Sequence, residues 1–138
     1  MTTDNTGELL MSTARSLRRA FSAALADWDI TPSQARALRA VCAAEQMRPS
    51  GLAAELKIAP RSATEVIDGL EGYGLVDRAP DPADRRATIV RPTEAGRQLR
   101  EKIDRVRGNA AAEFLSGLSE RDRRTLDRIL LTLVDKEC

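Results

Sequence analysis

The stretch from residue 49 to residue 96 constrains the fold more than any other part of the chain. Two short helical patterns come first, separated by a tight break at residues 57–59. Two runs typical of strands follow, at 74–79 and 87–91, and the polar loop between them ends in two adjacent arginines. Two helices followed by a two-stranded ribbon with a basic tip predict a winged helix-turn-helix. We therefore expect a mainly α fold with a small two- to three-stranded β wing.

Local signals place the starts of the helices. A hydroxyl residue can cap the first turn, and a proline there loses no hydrogen bond. Gln34 completes a capping box for the second helix, which we expect to end near Gln46. The residues predicted to start or cap helices two to six are Thr31, Ser50, Pro60, Thr93 and Ser119.

Apolar residues at helical spacing also mark the two flanks, 7–29 and 97–138. We expect the first helix to begin at Glu8 and to end at Asp29. The winged part, 31–96, has a small core of its own, so the flanking stripes need each other or a second copy of the chain for burial. Because a symmetric dimer is the commonest oligomer, we predict a homodimer that forms through the flanks of this single domain.

Composition excludes several classes of protein. The 138 residues include no histidine and two cysteines, which removes histidine bases and the common zinc sites. No nucleophile elbow or phosphate-binding glycine loop is present, so we expect neither an enzyme nor a cofactor. No signal peptide and no apolar run of about 18 residues occurs, which favours a cytoplasmic protein without a membrane partner.

The fourth helix is the predicted major-groove helix. Its apolar positions face inward and leave Arg61, Ser62 and Thr64 exposed near the N-terminal end, where such helices contact bases. Arg61 can bind guanine O6 and N7, and the two hydroxyls can donate to bases or phosphates. A solvated first turn explains the same residues equally well. Glu65 and Asp68 count against DNA, because carboxylates repel phosphates.

The loop of the ribbon carries Asp84, Arg85 and Arg86. An arginine held at a hairpin tip can enter the minor groove, where narrow A·T-rich segments concentrate negative potential. Asp84 can brace Arg86 in an extended pose. The alternative is a turn with a solvated ion pair. The preceding helix-turn-helix favours the DNA interpretation and predicts double-stranded DNA as a partner.

The run GLVDRAPDPADRRATIVRPTEAGRQL resembles the wing of the MarR family of bacterial regulators. The pattern joins Gly-Leu-Val and an arginine, at 74–76 and 78, to an Asp-x-Arg wing at Asp84 and Arg86. Thr93 and Gly96 then open the long helix. The segments LAAELKIAPRSATEVIDGLEGYG and ITPSQARAL resemble the helix-turn-helix and second-helix start of the same family.

This resemblance implies a homodimeric regulator, usually a repressor, on pseudo-palindromic DNA. It also implies release by a small aromatic or phenolic ligand, and it assigns the wing arginine to Arg86 and its bracing aspartate to Asp84. The chain departs from the family at Glu65, where many members have a basic residue, and at Pro92, where leucine is common.

Two further hypotheses concern a ligand and a redox role. Arg15, Trp28 and Met47 are the candidates for a ligand pocket, although a lone tryptophan more often closes a core. Some family members sense oxidants through a cysteine near the start of the first helix, where this chain has none. Cys42 falls on an apolar face, where thiols are usually inert, and Cys138 is terminal.

A winged-helix interaction module without DNA binding is the alternative to a regulator. Glu65, Asp68 and Asp81 favour it, because they make the predicted DNA surface mixed in sign. A continuous basic surface through Arg61, Arg85 and Arg86 favours DNA instead.

Overall fold

The structure, a computed structural model, describes residues 4–135. A mainly α fold with a two-stranded antiparallel sheet is confirmed, and its elements follow in the predicted order. The elements are α1 (Asp4–Ala24), α2 (Pro32–Ala44), α3 (Pro49–Leu56), α4 (Pro60–Gly72), β1 (Val76–Asp81), β2 (Asp84–Pro92), α5 (Glu94–Phe114) and α6 (Glu120–Val134).

The chain forms two compact units, and each is described by itself. Residues 25–106 form the winged unit, and residues 4–24 with 107–135 form the helical unit. The core of the winged unit brings together α2, α3, α4, both strands and the first half of α5. Its largest fully buried side chains are Leu38, Val41, Leu52, Ile67, Leu70, Val76, Val90 and Ile103.

The helix-turn-helix follows the predicted capping pattern with one error. Thr31 Oγ1 accepts from the Gln34 N–H (3.1 Å) and Gln34 Oε1 accepts from the Thr31 N–H (2.9 Å), which confirms the capping box. Pro60 is the first residue of α4, as predicted. The prediction for Ser50 is wrong, because α3 begins at Pro49 and Arg48 occupies the cap without a side-chain bond. The fixed φ of proline suits the first helical position, so Pro49 starts the helix one residue earlier.

α4 packs closely against α2. Gly69 lies so near Gln34 that a Cβ at position 69 would overlap Gln34 Nε2. Lys57 adopts the left-handed conformation (φ 56°, ψ 47°) between α3 and α4, which turns the chain sharply. The position of α4 therefore depends on its close approach to α2 at Gly69 and on the left-handed conformation of Lys57.

The start of α5 is hydrogen-bonded to, and packs closely against, the segment that follows α4. Thr93 Oγ1 donates to the Gly74 carbonyl (2.6 Å) and accepts from the Gly96 N–H (3.1 Å), so the predicted cap is confirmed. A Cβ on Gly96 would overlap the Leu75 carbonyl oxygen and lie 3.4 Å from Leu38 Cδ1. Only glycine allows this approach without displacing backbone.

The ribbon differs from its prediction at the start of β1, which is Val76 instead of residue 74, and at the tip. β1 extends to Asp81 and β2 begins at Asp84, so Pro82 and Ala83 alone form the turn. Met47 adds an isolated bridge, donating its N–H to the Val90 carbonyl (3.1 Å) and accepting from the Val90 N–H (2.8 Å). The sheet is thus two-stranded with one flanking bridge, within the predicted two to three strands.

The helical unit consists of α1, the second half of α5 and α6. α1 begins at Asp4 and ends at Ala24, so both predicted limits are wrong. Apolar Leu25 and Trp28 extended the helical pattern, but they pack against the core of the winged unit. Within the helical unit, the Arg107 guanidinium lies 4.5 Å from the centroid of the Phe21 ring, a cation–π contact.

α6 begins as predicted and leaves its apolar residues accessible. Ser119 Oγ accepts from the Asp122 N–H (3.1 Å), which confirms the cap. No side chain of α6 is buried, and Ile129 and Leu133 are 45% and 46% exposed. Among residues 4–135, no helix is both long enough and apolar enough to cross a membrane.

Candidate nucleic-acid interface

The exposed face of α4 carries the three residues predicted for DNA contact. Arg61, Ser62 and Thr64 are all exposed, while Ala63, Ile67 and Leu70 are buried beneath them. Thr64 Oγ1 donates to the Pro60 carbonyl (3.1 Å), so in this rotamer the hydroxyl is left as an acceptor. Ala59 caps α4 without a side-chain bond, and the first-turn N–H groups therefore have no side-chain acceptor there.

The two adjacent arginines lie in an irregular part of β2, which corrects the prediction of a loop. Pro80 pairs with Thr88, but the next residue, Asp81, pairs with Asp84. Residues 85–87 of β2 therefore have no partner opposite them on β1, as in an enlarged β-bulge. The early start of β2 follows from the two-residue turn, which needs fewer residues than the predicted loop. The bulge leaves both Arg85 and Arg86 exposed.

Asp84 contacts Arg86 through the backbone. Its Oδ1 accepts from the Arg86 N–H (3.0 Å), a turn that fixes the main chain of the bulge. Within residues 4–135 the guanidinium groups of Arg61, Arg85 and Arg86 have no ion-pair or hydrogen-bond partner. These three cations are therefore available to an external anion.

Arg78 neutralises two acidic residues of α4, a role that the sequence does not reveal. Its Nη2 donates to Asp68 Oδ1 and its Nη1 donates to Glu71 Oε1 (2.6 Å). The hydrogen bond with Asp68 is the main reason why the pKa of Arg78 is raised above its ordinary value. The pairs join α4 to β1. Asp68, which argued against DNA, is thus matched by a cation of the same unit.

Asp81 is paired in a similar way. Its Oδ2 accepts from Arg48 Nε (2.8 Å) and lies 2.8 Å from Arg48 Nη2 in an ion pair, and its Oδ1 accepts from the Ala83 N–H (2.9 Å). The bond from Ala83, and then the bonds from Arg48, lower the pKa of Asp81. Two of the three acids that favoured an interaction module are therefore neutralised within the winged unit, and only Glu65 is not.

The three ligand-pocket candidates lie in different environments. Trp28 and Met47 are half-buried and pack against the core of the winged unit. Arg15 belongs to the helical unit and lines a surface cavity of about 600 Å³ with other residues of α1. That cavity includes neither Trp28 nor Met47, and its lining residues are Asn5, Glu8, Leu9, Met11, Ser12 and Arg15.

Of the two cysteines, Cys42 lies within the described residues. Cys42 is half-buried against the core, and burial raises the pKa of its thiol despite the charges of Arg100 and Arg97. A raised pKa reduces the thiolate that reacts with oxidants, which weakens the redox hypothesis. Cys138 lies outside the described residues.

The geometry defines a class of protein. An exposed helix after a tight turn, an adjoining two-stranded wing and unpaired arginines on both make the winged unit a winged helix-turn-helix of the DNA-binding class.

Comparison with known proteins places the chain within that class. Residues 30–88 match the sequence model of the MarR family. An HTH-type transcriptional regulator of Mycobacterium bovis is 36% identical over 110 residues, which cover 78% of this chain and 77% of the relative. The chain belongs to the MarR family of transcriptional regulators, which confirms the resemblance of the wing and the helix-turn-helix.

Solved structures of the family have the same fold. The crystal structure of DNA-free wild-type MarR from E. coli aligns with a TM-score of 0.86 at 26% identity, covering 92% of this chain and 94% of that one. A mutant MarR from E. coli complexed with operator DNA aligns with a TM-score of 0.78 at 26% identity, covering 92% and 91%.

Proposed function

We propose that this protein is a repressor that binds a pseudo-palindromic operator as a homodimer and acts in the cytoplasm. The observation that carries the proposal is the set of unpaired, exposed guanidinium groups of Arg61, Arg85 and Arg86. Two acids of the same unit, Asp68 and Asp81, are held by other arginines. Paired acids repel phosphates less than free ones, so the surface is more basic than its composition suggests.

α4 is proposed to enter the major groove. Its N-terminal turn presents Arg61 and Ser62 together with free N–H groups, and the positive end of a helix attracts phosphate. Arg61 can bind guanine O6 and N7 in bidentate fashion. Thr64 can accept a hydrogen bond in its present rotamer and can donate after rotation about χ1.

The wing is proposed to enter the adjacent minor groove. The bulge at 85–87 turns the strand at the position where the arginines occur, and Asp84 fixes the backbone of Arg86. An arginine presented in this way can enter a narrow A·T-rich groove, where the negative potential is strongest. Arg85, exposed beside it, can contact the flanking phosphates.

The homodimer is proposed to form through the helical unit. Large apolar side chains are exposed along α1 and α6, among them Met11 (63%) and Leu131 (61%). Large apolar side chains exposed in this number along two helices are typical of a protein contact surface. A two-fold dimer would present two copies of α4 to half-sites about 34 Å apart, one turn of DNA.

Release by a small aromatic or phenolic ligand completes the proposal. Arg15, Trp28 and Met47 remain the residues to probe for it. Trp28 is the single tryptophan of the chain, so its fluorescence can report ligand binding at this position.

The test uses duplexes recovered from genomic fragments by the purified protein, with affinity measured by fluorescence anisotropy. We expect Arg86→Ala to weaken binding about tenfold or more, in line with the loss of one specific arginine contact. Arg105→Ala, which removes an exposed arginine of α5, should change affinity less than about twofold. 4-Hydroxybenzoate serves as the phenolic probe and should release the duplex and change the Trp28 emission.

Each part of the proposal can fail separately. Unchanged affinity of Arg86→Ala would remove the minor-groove role. Failure of the protein to recover any duplex would refute DNA binding itself. A duplex that stays bound, with Trp28 emission unchanged, would count against the phenolic ligand.

A further inference from the structure

The outward face of α4 contains one acidic residue that the structure leaves unpaired. At about 100° per residue, Arg61, Glu65 and Asp68 lie within about 60° of one another, opposite the buried Ala63, Ile67 and Leu70. Glu65 is exposed and lies between the other two in sequence. The face that we propose to enter the major groove is therefore mixed in charge.

Two of the acidic residues of α4 are paired, and the third is not. Arg78 holds Asp68 and Glu71 in hydrogen-bonded ion pairs. Glu65 has no ion-pair or hydrogen-bond partner within residues 4–135, and Arg61, four residues earlier, does not pair with it. A carboxylate left free on this face needs either solvent or a donor on the bound DNA.

The chemistry of base edges identifies that donor. In the major groove, cytosine offers the N4 amino group as its only polar group, and it is a donor. Guanine presents only acceptors, thymine presents an acceptor and a methyl group, and adenine places the N7 acceptor beside its N6 donor. An ionised carboxylate accepts but cannot donate, so cytosine suits it best.

We propose that Glu65 is a specificity-determining residue that accepts a hydrogen bond from a cytosine N4 amino group in each operator half-site. This inference rests on the proposed function, because it assigns a role within the same α4 surface. Arg61 lies one helical turn away, a rise of about 6 Å for four residues. Since base pairs are 3.4 Å apart, the cytosine lies within about two base pairs of the guanine bound by Arg61.

The same carboxylate explains how a weakly charged protein can be selective. At a non-cognate guanine or thymine Glu65 faces acceptors, which repel it, and at an adenine the repulsion from N7 offsets the bond from N6. At a cognate site the N4 amino group satisfies it. The residue thus lowers affinity for all other sequences and increases the ratio of specific to non-specific binding, the quantity that matters in a genome.

The test is selection from a randomised duplex library by the full-length protein and three variants, followed by affinity measurements on single-base changes. The wild type should select cytosine at one position of each half-site, with about five- to a hundredfold preference over the other bases. Glu65→Gln should shift that position to adenine, because an amide can bind N6 and N7 together. Glu65→Ala should lose the preference and bind non-cognate duplexes more tightly than the wild type.

Glu101→Gln is the matched control, because it makes the same change at an exposed carboxylate of α5 and should leave the selected sequence unaltered. A wild type that selects a defined site, but a Glu65→Gln variant that selects the same site, would overturn the role of Glu65 and leave DNA binding intact. A uniform gain in affinity for every duplex on Glu65→Ala would show that the residue only repels. Absence of any selected site would instead refute the proposed function.

Discussion

The winged unit and the helical unit differ most in where their apolar side chains lie. Every buried apolar side chain of residues 4–135 belongs to the winged unit, whereas no side chain of residues 5–24 or 107–135 is buried. The large apolar side chains that are strongly exposed show the reverse distribution, with Tyr73 (53%) as their one member in the winged unit. The winged unit therefore completes its own core.

This difference separates two sources of stability. The winged unit gains free energy from burial within one chain, at roughly 25 cal/mol per Å² of apolar surface. The helical unit has apolar surface of the same kind, but a single chain leaves it in water. In the proposed dimer the helical unit would pair with a second copy and so set the spacing of the two winged units.

An acidic α6 should abolish the proposed dimer and leave the winged unit folded. Ile129→Glu combined with Leu133→Glu places two carboxylates on one face of a helix without a buried side chain. We expect the dimer Kd to rise by more than about a hundredfold, because each buried unpaired carboxylate costs several kcal/mol. Sedimentation equilibrium should then show monomers, while the fold of the winged unit persists.

Tyr73→Glu is the matched control, because it makes the same kind of change at the exposed apolar residue of the winged unit. It should leave the oligomeric state unchanged. If the α6 double variant remained dimeric at micromolar concentration, the helical unit could not be the dimer-forming part.

Two glycines of α5, one in each unit, differ in the space around them. A Cβ at Gly96, in the winged unit, would overlap the Leu75 carbonyl, whereas a Cβ at Gly108, in the helical unit, has no described atom within 4 Å apart from the adjacent residues and backbone of its own helix. Gly96→Ala should lower the free energy of unfolding by about 3 kcal/mol through overpacking against backbone. Gly108→Ala should raise it by about 0.5–1 kcal/mol through helix propensity.

Urea unfolding at one fixed protein concentration measures both changes, since dimerisation makes stability depend on concentration. Equal effects of the two substitutions would contradict the contrast between a packed and an open segment of the same helix. If Gly108→Ala lowered the free energy of unfolding only at concentrations where the dimer forms, Gly108 would lie in the dimer contact.

Features that depend on neighbouring residues were predictable from the sequence. The capping box of Thr31 and Gln34, the proline start at Pro60 and the cap at Ser119 each need only three or four residues, and all are confirmed. The error at Ser50 has the same local character, because a capping hydroxyl and a preceding proline compete for the start of one helix.

Features that depend on distant residues were not predictable. The position of Arg85 and Arg86 follows from a change of strand register, which no run of residues encodes. The pairing of Arg78 with Asp68 joins residues ten apart on different elements. The end of α1 was misplaced because Leu25 continues a helical pattern, although it belongs to the core of the other unit.

The proposed DNA contacts of Arg61, Ser62 and Thr64 are supported by the exposure of these side chains, which sequence periodicity already indicated. Whether the acidic residues beside them are paired could not be inferred from the sequence. The pairing depends on where β1 places its arginine. The structure shows that Asp68 is paired, and this leaves Glu65 as the carboxylate of α4 that can face a base.

The smallest expected effect concerns the polar contacts that hold the wing within the winged unit. Asp81 accepts from the Ala83 N–H and from Arg48, and these bonds lower its pKa below the ordinary value of 3.8. A lowered folded-state pKa means that the contribution of Asp81 to stability is present above pH 3.8 and disappears as the pH falls through the folded-state value. Asp81→Asn should therefore be less stable than the wild type at pH 7, and the gap should close in acid.

Urea unfolding of the wild type and Asp81→Asn between pH 7 and pH 2.5 measures that gap. Asp29→Asn, at an exposed carboxylate in the turn after α1, controls for the change in net charge. If the difference in free energy of unfolding stayed constant down to the lowest pH, the negative charge of Asp81 would not be the source of the stabilisation. Because the Arg48 side chain is 47% exposed, water screens the pair and keeps the effect small, although only 14% of the Asp81 side chain is exposed. The apolar core of the winged unit should keep it folded when the pair is lost.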